Sequence, residues 1–268
     1  MARPFILLKL GGSLITDKAR PRVARHATIR RLARELAAAA KNPRAPRIVV
    51  GHGSGSFGHA AAAHGGLVPG ADATRRLDAI ARTQRAAADL HRIVVAALAD
   101  AGARAFSFAP SSFLYAANGR VTASFVTPIF DALGRGLLPV VYGDVVLDAR
   151  RGALIVSTEE LFQILVKEAA RRKNPVSRVV WLGETDGVRD RDGRTIARLS
   201  SAGAKRTAHG VTGASGVDVT GGMSLRLRTA GALAKVGVAS AIVDGRKAGA
   251  IASAIAGRAT GGTRVELR

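Results

Sequence analysis

Four segments combine residue types and spacing suited to handling phosphate. Lys9-Leu-Gly11-Gly12-Ser13 directly follows the apolar run Phe5–Leu10. Glycines there let the backbone approach an anion without Cβ interference, and bare amides can cradle phosphate oxygens. Lys9 falls at a strand end, where ligands of open α/β sheets bind. The segment matches neither the dinucleotide fingerprint nor the P-loop pattern. Taken alone it reads equally as a tight turn beside a surface lysine. Gly51-His-Gly-Ser-Gly-Ser-Phe-Gly-His59 follows a second apolar run, with four glycines in nine residues and a closing histidine. It suits a second phosphate, with His59 as a donor that titrates near neutral pH; the plainer reading is a flexible loop with two solvent-facing histidines. Asp218-Val-Thr-Gly-Gly222-Met-Ser-Leu-Arg226 runs from a loop into a helix, whose free amides and dipole favour an anion. Arg226, one turn in, could reach the same anion. Tyr142-Gly143-Asp144-Val145 sets a glycine and a carboxylate at a further strand end.

These segments need strands and helices to bring them together. The runs Phe5–Leu10, Arg47–Gly51, Arg104–Phe108, Leu138–Tyr142, Arg178–Leu182, Ser240–Asp244 and Thr263–Leu267 are short and mostly apolar, as strands covered on both faces are. Between them, Ile29, Leu32, Ala33, Leu36 and Ala37 share one helical face. The spacing of Leu77, Ile80, Ala81, Ala88 and Val95 predicts another. Ser157-Thr-Glu-Glu160 reads as a capping box opening a third helix, with Leu161, Ile164 and Leu165 as its apolar stripe. Strand–helix alternation predicts a three-layer αβα sandwich with a mainly parallel central sheet. Gly183 to Gly222, rich in Gly, Asp, Ser and Thr, suits loops and a hairpin near a site. One domain spanning 1–268, with two lobes, is the expected organisation.

The chain's 268 residues, 47% hydrophobic, can bury a sizeable core. It has no cysteine, which excludes disulfides, thiolate zinc sites and a cysteine nucleophile. No apolar stretch approaches the roughly 18 residues of a membrane span, and the reading is of a soluble, cytoplasmic protein. A net charge of +22 would attract anions. With 4% aromatic residues and no nucleic-acid motif, it reads as a solvated basic face, with no membrane or specific nucleic-acid partner.

Together the four segments resemble the amino-acid kinase family, which phosphorylates small acids with ATP. Within it, Lys9 through Lys18, Gly53-Ser-Gly-Ser-Phe-Gly-His59, Tyr142-Gly-Asp144 and Asp218-Val-Thr-Gly-Gly-Met223 look like the isopentenyl phosphate kinases, and the stretch from Gly245 through Gly261-Gly-Thr263 is similar to that group's last elements. The resemblance implies the amino-acid kinase fold and ATP-dependent phosphorylation of isopentenyl phosphate to isopentenyl diphosphate. It also implies a homodimer, with Mg²⁺ travelling on ATP and no dedicated protein metal site. The N-terminal lobe would hold the acceptor and the C-terminal lobe the nucleotide.

By position, the resemblance makes Lys9, Lys18 and His59 catalytic. Lys9 and the amides of Gly11, Gly12 and Ser13 would hold ATP phosphates, and Lys18 would stabilise the transferring group. Ser54, Gly58 and His59 would receive the acceptor phosphate, with Gly143 and Asp144 bordering its pocket. Gly55, Asp186, Gly187, Gly222 and Arg226 would serve the nucleotide. Three segments depart from the usual pattern: Ser157-Thr-Glu-Glu160 replaces Ser-Gly-Asp-Asp, Gly183-Glu-Thr-Asp186-Gly187 replaces Thr-Asp-Val-Asp-Gly, and Arg226 replaces a lysine. The rival readings are a kinase for another phosphate or phosphonate, of the fosfomycin-kinase kind, and an inactive relative that binds RNA through its basic surface.

Overall fold

The structure, a computed structural model, describes residues 4–67, 70, 72–210, 222–257 and 261–268. The seven apolar runs all become strands: β1 (Phe5–Leu10), β2 (Arg47–His52), β3 (Ala105–Ser107), β6 (Leu138–Tyr142), β9 (Val176–Gly183), β11 (Ala239–Asp244) and β12 (Thr263–Glu266). With β10 (Arg198–Ser200) they make an eight-stranded sheet in the order β10-β12-β11-β9-β1-β2-β6-β3. Every pairing in it is parallel except β11 with β12.

Side-chain alternation along β1 explains the layers. Phe5 and Leu7 join a core with Val49, Val141, Leu161, Trp181 and Leu227, on one face of the sheet. Ile6, Leu8 and Leu10 join Leu32, Leu36, Phe57, Leu90 and Ile251 on the other. On the first side lie α5 (Thr127–Gly134), α6 (Thr158–Arg171), α7 (Ser201–Gly210) and α8 (Gly222–Lys235). On the second lie α1 (Gly12–Ile15), α2 (His26–Lys41), α3 (Gly55–His64), α4 (Leu77–Asp100) and α9 (Ala250–Ile255). This is the expected three-layer sandwich.

α2 buries the face expected of it, Ile29, Leu32, Ala33, Leu36 and Ala37. α4 forms as expected but turns a different face inward. Leu77 is 70% exposed, and the buried residues are Ala79, Thr83, Ala86, Ala87, Leu90, His91, Val94 and Leu98. The true stripe carries a threonine and a histidine, so a count of apolar residues selects the wrong side of an alanine-rich helix. The capping box holds: Ser157 Oγ accepts from the Glu160 amide at 3.1 Å.

A second, four-stranded sheet was not expected. It runs β5 (Arg120–Ser124), β4 (Leu114–Ala117), β7 (Asp144–Asp148), β8 (Gly152–Val156). β5 and β7 mix polar and apolar residues, whereas β8 carries the apolar run Ala153–Val156 between Gly152 and Ser157. Asn118-Gly119 joins β4 to β5 with both φ angles positive, 54° and 75°, as a two-residue hairpin turn requires. The Asp148 carboxylate accepts from the amides of Asn118, Gly119, Arg150 and Arg151, closing both hairpin ends at 2.7–3.1 Å. In the 183–222 region, the loops contain an antiparallel bridge between Arg189 and Thr195 before β10 and α7.

Candidate active site

The C-terminal ends of β1, β2, β6 and β9 open at the same edge of the sheet, and the segments singled out above follow them. The loops after β1 and β2 are in contact. A Cβ on Gly12 would lie 2.8 Å from the Gly55 Cα and amide nitrogen, and Gly55 itself has φ +51°. Thr16 Oγ1 ties the two loops, donating to Gly12 O at 2.7 Å and accepting from the Ser56 amide at 3.0 Å.

These contacts consume amides that the glycine pattern suggested were bare. Gly11 donates to Leu182 O at 2.8 Å, and Gly53 donates to Leu10 O at 3.1 Å. Phe57 and Gly58 both donate to Ser54 O at 3.2 Å, because α3 begins at Gly55 and takes up most of the supposed loop. Direct amide contact with phosphate by Gly11 or Gly58 is therefore corrected. Gly12 and Ser13 occupy the first turn of α1, and Ser54 and Gly55 the cap and first turn of α3, where helix geometry leaves amides without a helical acceptor.

Lys9 points into this junction. Its Cε lies 3.9 Å from where a Gly53 Cβ would sit, and its ammonium is paired with the Glu159 carboxylate. Both are buried. Burial pulls the Lys9 pKa down, with Arg226 adding to the effect, while Glu159 opposes it. For Glu159, burial alone would raise the pKa, but the charges of Lys9 and Arg226 outweigh it and hold the carboxylate below its ordinary range. Arg226, one turn into α8, is thus electrostatically part of the Lys9 cluster. Its guanidinium also lies beside Gly183, 3.0 Å from a Cβ built there. Gly222 opens α8, while Asp218 to Gly221 lie outside the described residues.

His59, exposed on the first turns of α3, completes the group. Desolvation by the surrounding protein lowers its pKa, and repulsion from Lys9 and Lys18 lowers it further. The ring is therefore neutral at pH 7. The same repulsion puts Lys18 in the neighbourhood, on an exposed turn between α1 and α2. That turn is strapped twice at its α2 end. Arg22 pairs with Asp89 of α4 at 2.5 Å and lies 5.8 Å over the Phe57 ring, and Arg25 pairs with Glu184 just after β9.

Gly143 and Asp144, which follow β6, face inward. Gly143 donates to His52 O at 3.0 Å. Asp144 is 2% exposed, and its oxygens accept from the Ser111 and Val145 amides at 3.0 and 2.8 Å. Burial raises its pKa against those hydrogen bonds. It is buried in the wall of the candidate site, with its carboxylate taken up by those amides.

On the far side of β9, Asp186 borders a cavity of about 100 Å³ lined also by Asp244, Lys247, Ser253 and Gly261. The side-chain hydrogen bond from Thr195 holds the Asp186 carboxylate below its usual range, and Arg189 lies 3.5 Å away. Gly187, at φ +134°, does not line that cavity; it packs against Thr263, whose hydroxyl accepts from Val188 N at 2.7 Å.

A parallel sheet whose central strand ends converge glycine turns, a buried lysine and further cations is a frame for moving phosphate between small molecules. Residues 4–244 match the model of the amino acid kinase family, and the chain belongs to that family. Among its relatives is the isopentenyl phosphate kinase of Methanothermobacter thermautotrophicus, 34% identical over 97% of this chain and 98% of the relative. A crystal structure of an isopentenyl phosphate kinase superposes with a TM-score of 0.77 at 31% identity, covering 97% of this chain and 99% of the other. A substrate complex of an isopentenyl phosphate kinase superposes at 0.71 with 25% identity, covering 98% and 100%.

Sequence reasoning missed three things at the site. Glu159 was read only as a departure, yet it is the counter-ion of Lys9; its signal was a carboxylate in the first turn of a capped helix. The Arg22 and Arg25 straps left no signal, because their partners Asp89 and Glu184 are remote in sequence. His52, solvent-facing only in the plainer of the two readings of its loop, is fully buried.

Proposed function

We propose that this protein transfers the γ-phosphoryl group of ATP to isopentenyl phosphate, giving isopentenyl diphosphate and ADP. The observation that carries the reading is the buried Lys9 under the contacting glycine turns after β1 and β2, with His59 near enough to Lys9 and Lys18 for their charges to lower its pKa. Transfer between two phosphates crowds negative charge, so positioning and cationic stabilisation do most of the work. An acceptor phosphate oxygen attacks the γ-phosphorus as the bond to ADP breaks. The acceptor is already an anion and needs no base.

In this reading His59 and the Ser54 amide meet the acceptor phosphate. Lys9, Gly12, Ser13 and Gly55 meet the ATP phosphates, with Arg226 beside Lys9. Lys18 reaches the group in flight. Asp186 borders the cavity on the nucleotide side, and the reading keeps Gly187 and Gly222 on that side as well. The N-terminal lobe then serves the acceptor and the C-terminal lobe the nucleotide. Among the described residues no three His, Asp or Glu side chains gather as metal ligands, and Glu159 is committed to Lys9. In this reading Mg²⁺ is an ion carried by the phosphates of ATP, screening their charge.

The same reading includes a homodimer and a cytoplasmic setting. Phe106, 48% exposed on the edge strand β3, supports pairing of two copies along that edge. Among the described residues no helix is long and apolar enough to cross a membrane.

The test is coupled ADP release with isopentenyl phosphate, dimethylallyl phosphate, fosfomycin and acetylglutamate as acceptors. Turnover is expected to be fastest with isopentenyl phosphate. Preference for fosfomycin would assign the protein to phosphonate chemistry, and salt-sensitive RNA binding without turnover would overturn the kinase reading.

A further inference from the structure

Behind the acceptor loop runs a buried polar chain that the proposed chemistry does not use. His52 Nδ1 lies 3.1 Å from Gly53 O, His52 Nε2 lies 2.9 Å from His91 Nδ1, and His91 Nε2 lies 2.8 Å from Ser107 Oγ. His52 is fully buried and His91 nearly so. Both rings stack with Tyr142, at centroid distances of 5.7 and 4.2 Å. Tyr142 in turn hydrogen-bonds Asp144.

The direction of every proton in this chain follows from one fixed point. A carbonyl only accepts, so His52 must carry its proton on Nδ1 to bond Gly53 O. Burial, with the charge of Lys9, pushes the His52 pKa down to about 4. Its Nε2 is therefore bare and accepts from His91 Nδ1–H. Burial, then repulsion by His52 and Arg92, takes His91 down to about 2, so its own Nε2 is bare and accepts the Ser107 hydroxyl. The donation runs one way, from the edge strand β3, through α4, to the end of β2.

His52 is also a hub through its backbone. Its carbonyl accepts from Gly143 N at 3.0 Å and from Thr158 Oγ1 at 2.7 Å. It thereby joins the turn after β6 and the start of α6, next to Glu159, to the acceptor loop. A buried network of this kind is costly unless every member is satisfied, and when satisfied it fixes one geometry.

We propose that His52 and His91 are positioning residues for acceptor binding: the directed chain Ser107–His91–His52–Gly53 holds the Gly53–Ser54 turn in the shape that receives the acceptor's phosphate. The inference rests on the kinase reading for its catalytic consequence, while the chain itself is testable without turnover.

The experiment pairs ¹⁵N NMR of the histidine rings with kinetics. In the wild-type protein both His52 and His91 are expected as neutral Nδ1–H tautomers from pH 6 to 8. An Nε2–H tautomer at His52 overturns the chain whatever the enzyme's substrate. His91→Phe keeps a flat ring but gives His52 no donor. It is expected to raise the KM for isopentenyl phosphate about tenfold with the KM for ATP unchanged. His91→Asn, whose amide nitrogen can replace Nδ1, is expected to recover most of that loss. Equal effects on both KM values, or no effect in a folded His91→Phe, overturn the positioning role. If His91→Phe does not fold, the tautomers and the His91→Asn and Ser107→Ala variants decide, Ser107→Ala raising the same KM by a smaller factor. A wild type that turns over no isopentenyl phosphate defeats the kinase reading alone and leaves the tautomer result standing.

Discussion

Lys9 and Glu159 lie 150 positions apart and form an ion pair in which the side chains are 9% and 4% exposed. A pair this buried is held in place by the fold more than it holds the fold together, because desolvating two ions offsets much of their attraction. It holds Lys9 at a fixed point under the Gly53 turn, where, on the proposed function, an incoming phosphate would meet a preorganised cation.

Removing one partner is therefore far worse than never having had the pair. Glu159→Gln keeps the side chain's shape but leaves the Lys9 ammonium buried beside Arg226 without a counter-charge. The expected loss is about 3–5 kcal/mol of stability, read by urea unfolding at pH 7. A loss below about 1 kcal/mol, the range of an exposed pair, would show that water reaches Lys9.

Acid should weaken this protein in two stages. His52 and His91 take up protons in the unfolded chain near pH 6.5 but in the folded one only at about 4 and about 2. The unfolded state thus binds more protons over that interval, and stability falls as pH drops from 6.5, at up to about 1.4 kcal/mol per unit for each histidine. Glu159 acts lower down. Its folded pKa is depressed, so its contribution is complete above the ordinary carboxylate range and lost as pH falls through the folded value. Urea unfolding at several pH values between 4 and 8 should show a plateau above pH 7 and a slope below 6.5, shallower in His91→Asn. A flat profile down to pH 4.5 would mean the two rings are hydrated.

The central sheet was legible because strands covered on both faces leave short apolar runs, and Phe5–Leu10 and Leu138–Tyr142 match β1 and β6 residue for residue. Mixed strands such as β5 and β7 escape that criterion, but the apolar run of β8, Ala153–Val156, and the hairpin signal Asn118-Gly119 were both in plain view. Glycine turns at strand ends marked the edge of the sheet at which the candidate site lies. Which amides were free could not be read, since Gly11 and Gly58 are claimed by Leu182 and by helix α3, partners that only the folded chain supplies. The inward turn of His52 and Asp144 was hidden for the same reason: a polar residue at a strand end faces ligand or core according to what lies behind it, and here α4 brings His91.

Lys18 should act on the rate more than on binding. Its turn is strapped by Arg22 to Asp89 and by Arg25 to Glu184, so the backbone is held between the α4 side and the end of β9 while the side chain stays exposed. Lys18→Ala is expected to lower kcat by roughly two orders of magnitude, as for loss of a preorganised stabiliser. Dissociation constants for ATP and acceptor, measured by calorimetry, should change little. A near-normal kcat would return Lys18 to the solvated basic surface.

His59 should decide which acceptors are used, and its protonation should follow them. In the free protein, desolvation and then the charges of Lys9 and Lys18 lower its pKa, so the imidazole is neutral at pH 7. A bound phosphate reverses the balance by favouring the imidazolium, so the acceptor binds together with a proton. Binding should then weaken as pH rises through the raised pKa of the complex. The acceptor's own second ionisation, with a pKa near roughly 6, tends to mask this slope. The informative quantity is therefore the difference between wild type and His59→Gln, which keeps a donor but cannot titrate. With isopentenyl phosphate, kcat/KM of His59→Ala is expected to fall about ten- to a hundredfold, the value of one charge-assisted hydrogen bond of about 1.5–3 kcal/mol. His59→Gln should recover part of that loss and have a flatter profile between pH 6 and 9. If both variants handle isopentenyl phosphate like wild type at every pH, His59 does not touch the acceptor, and the phosphate must be held by the Ser54 turn and Lys18 alone.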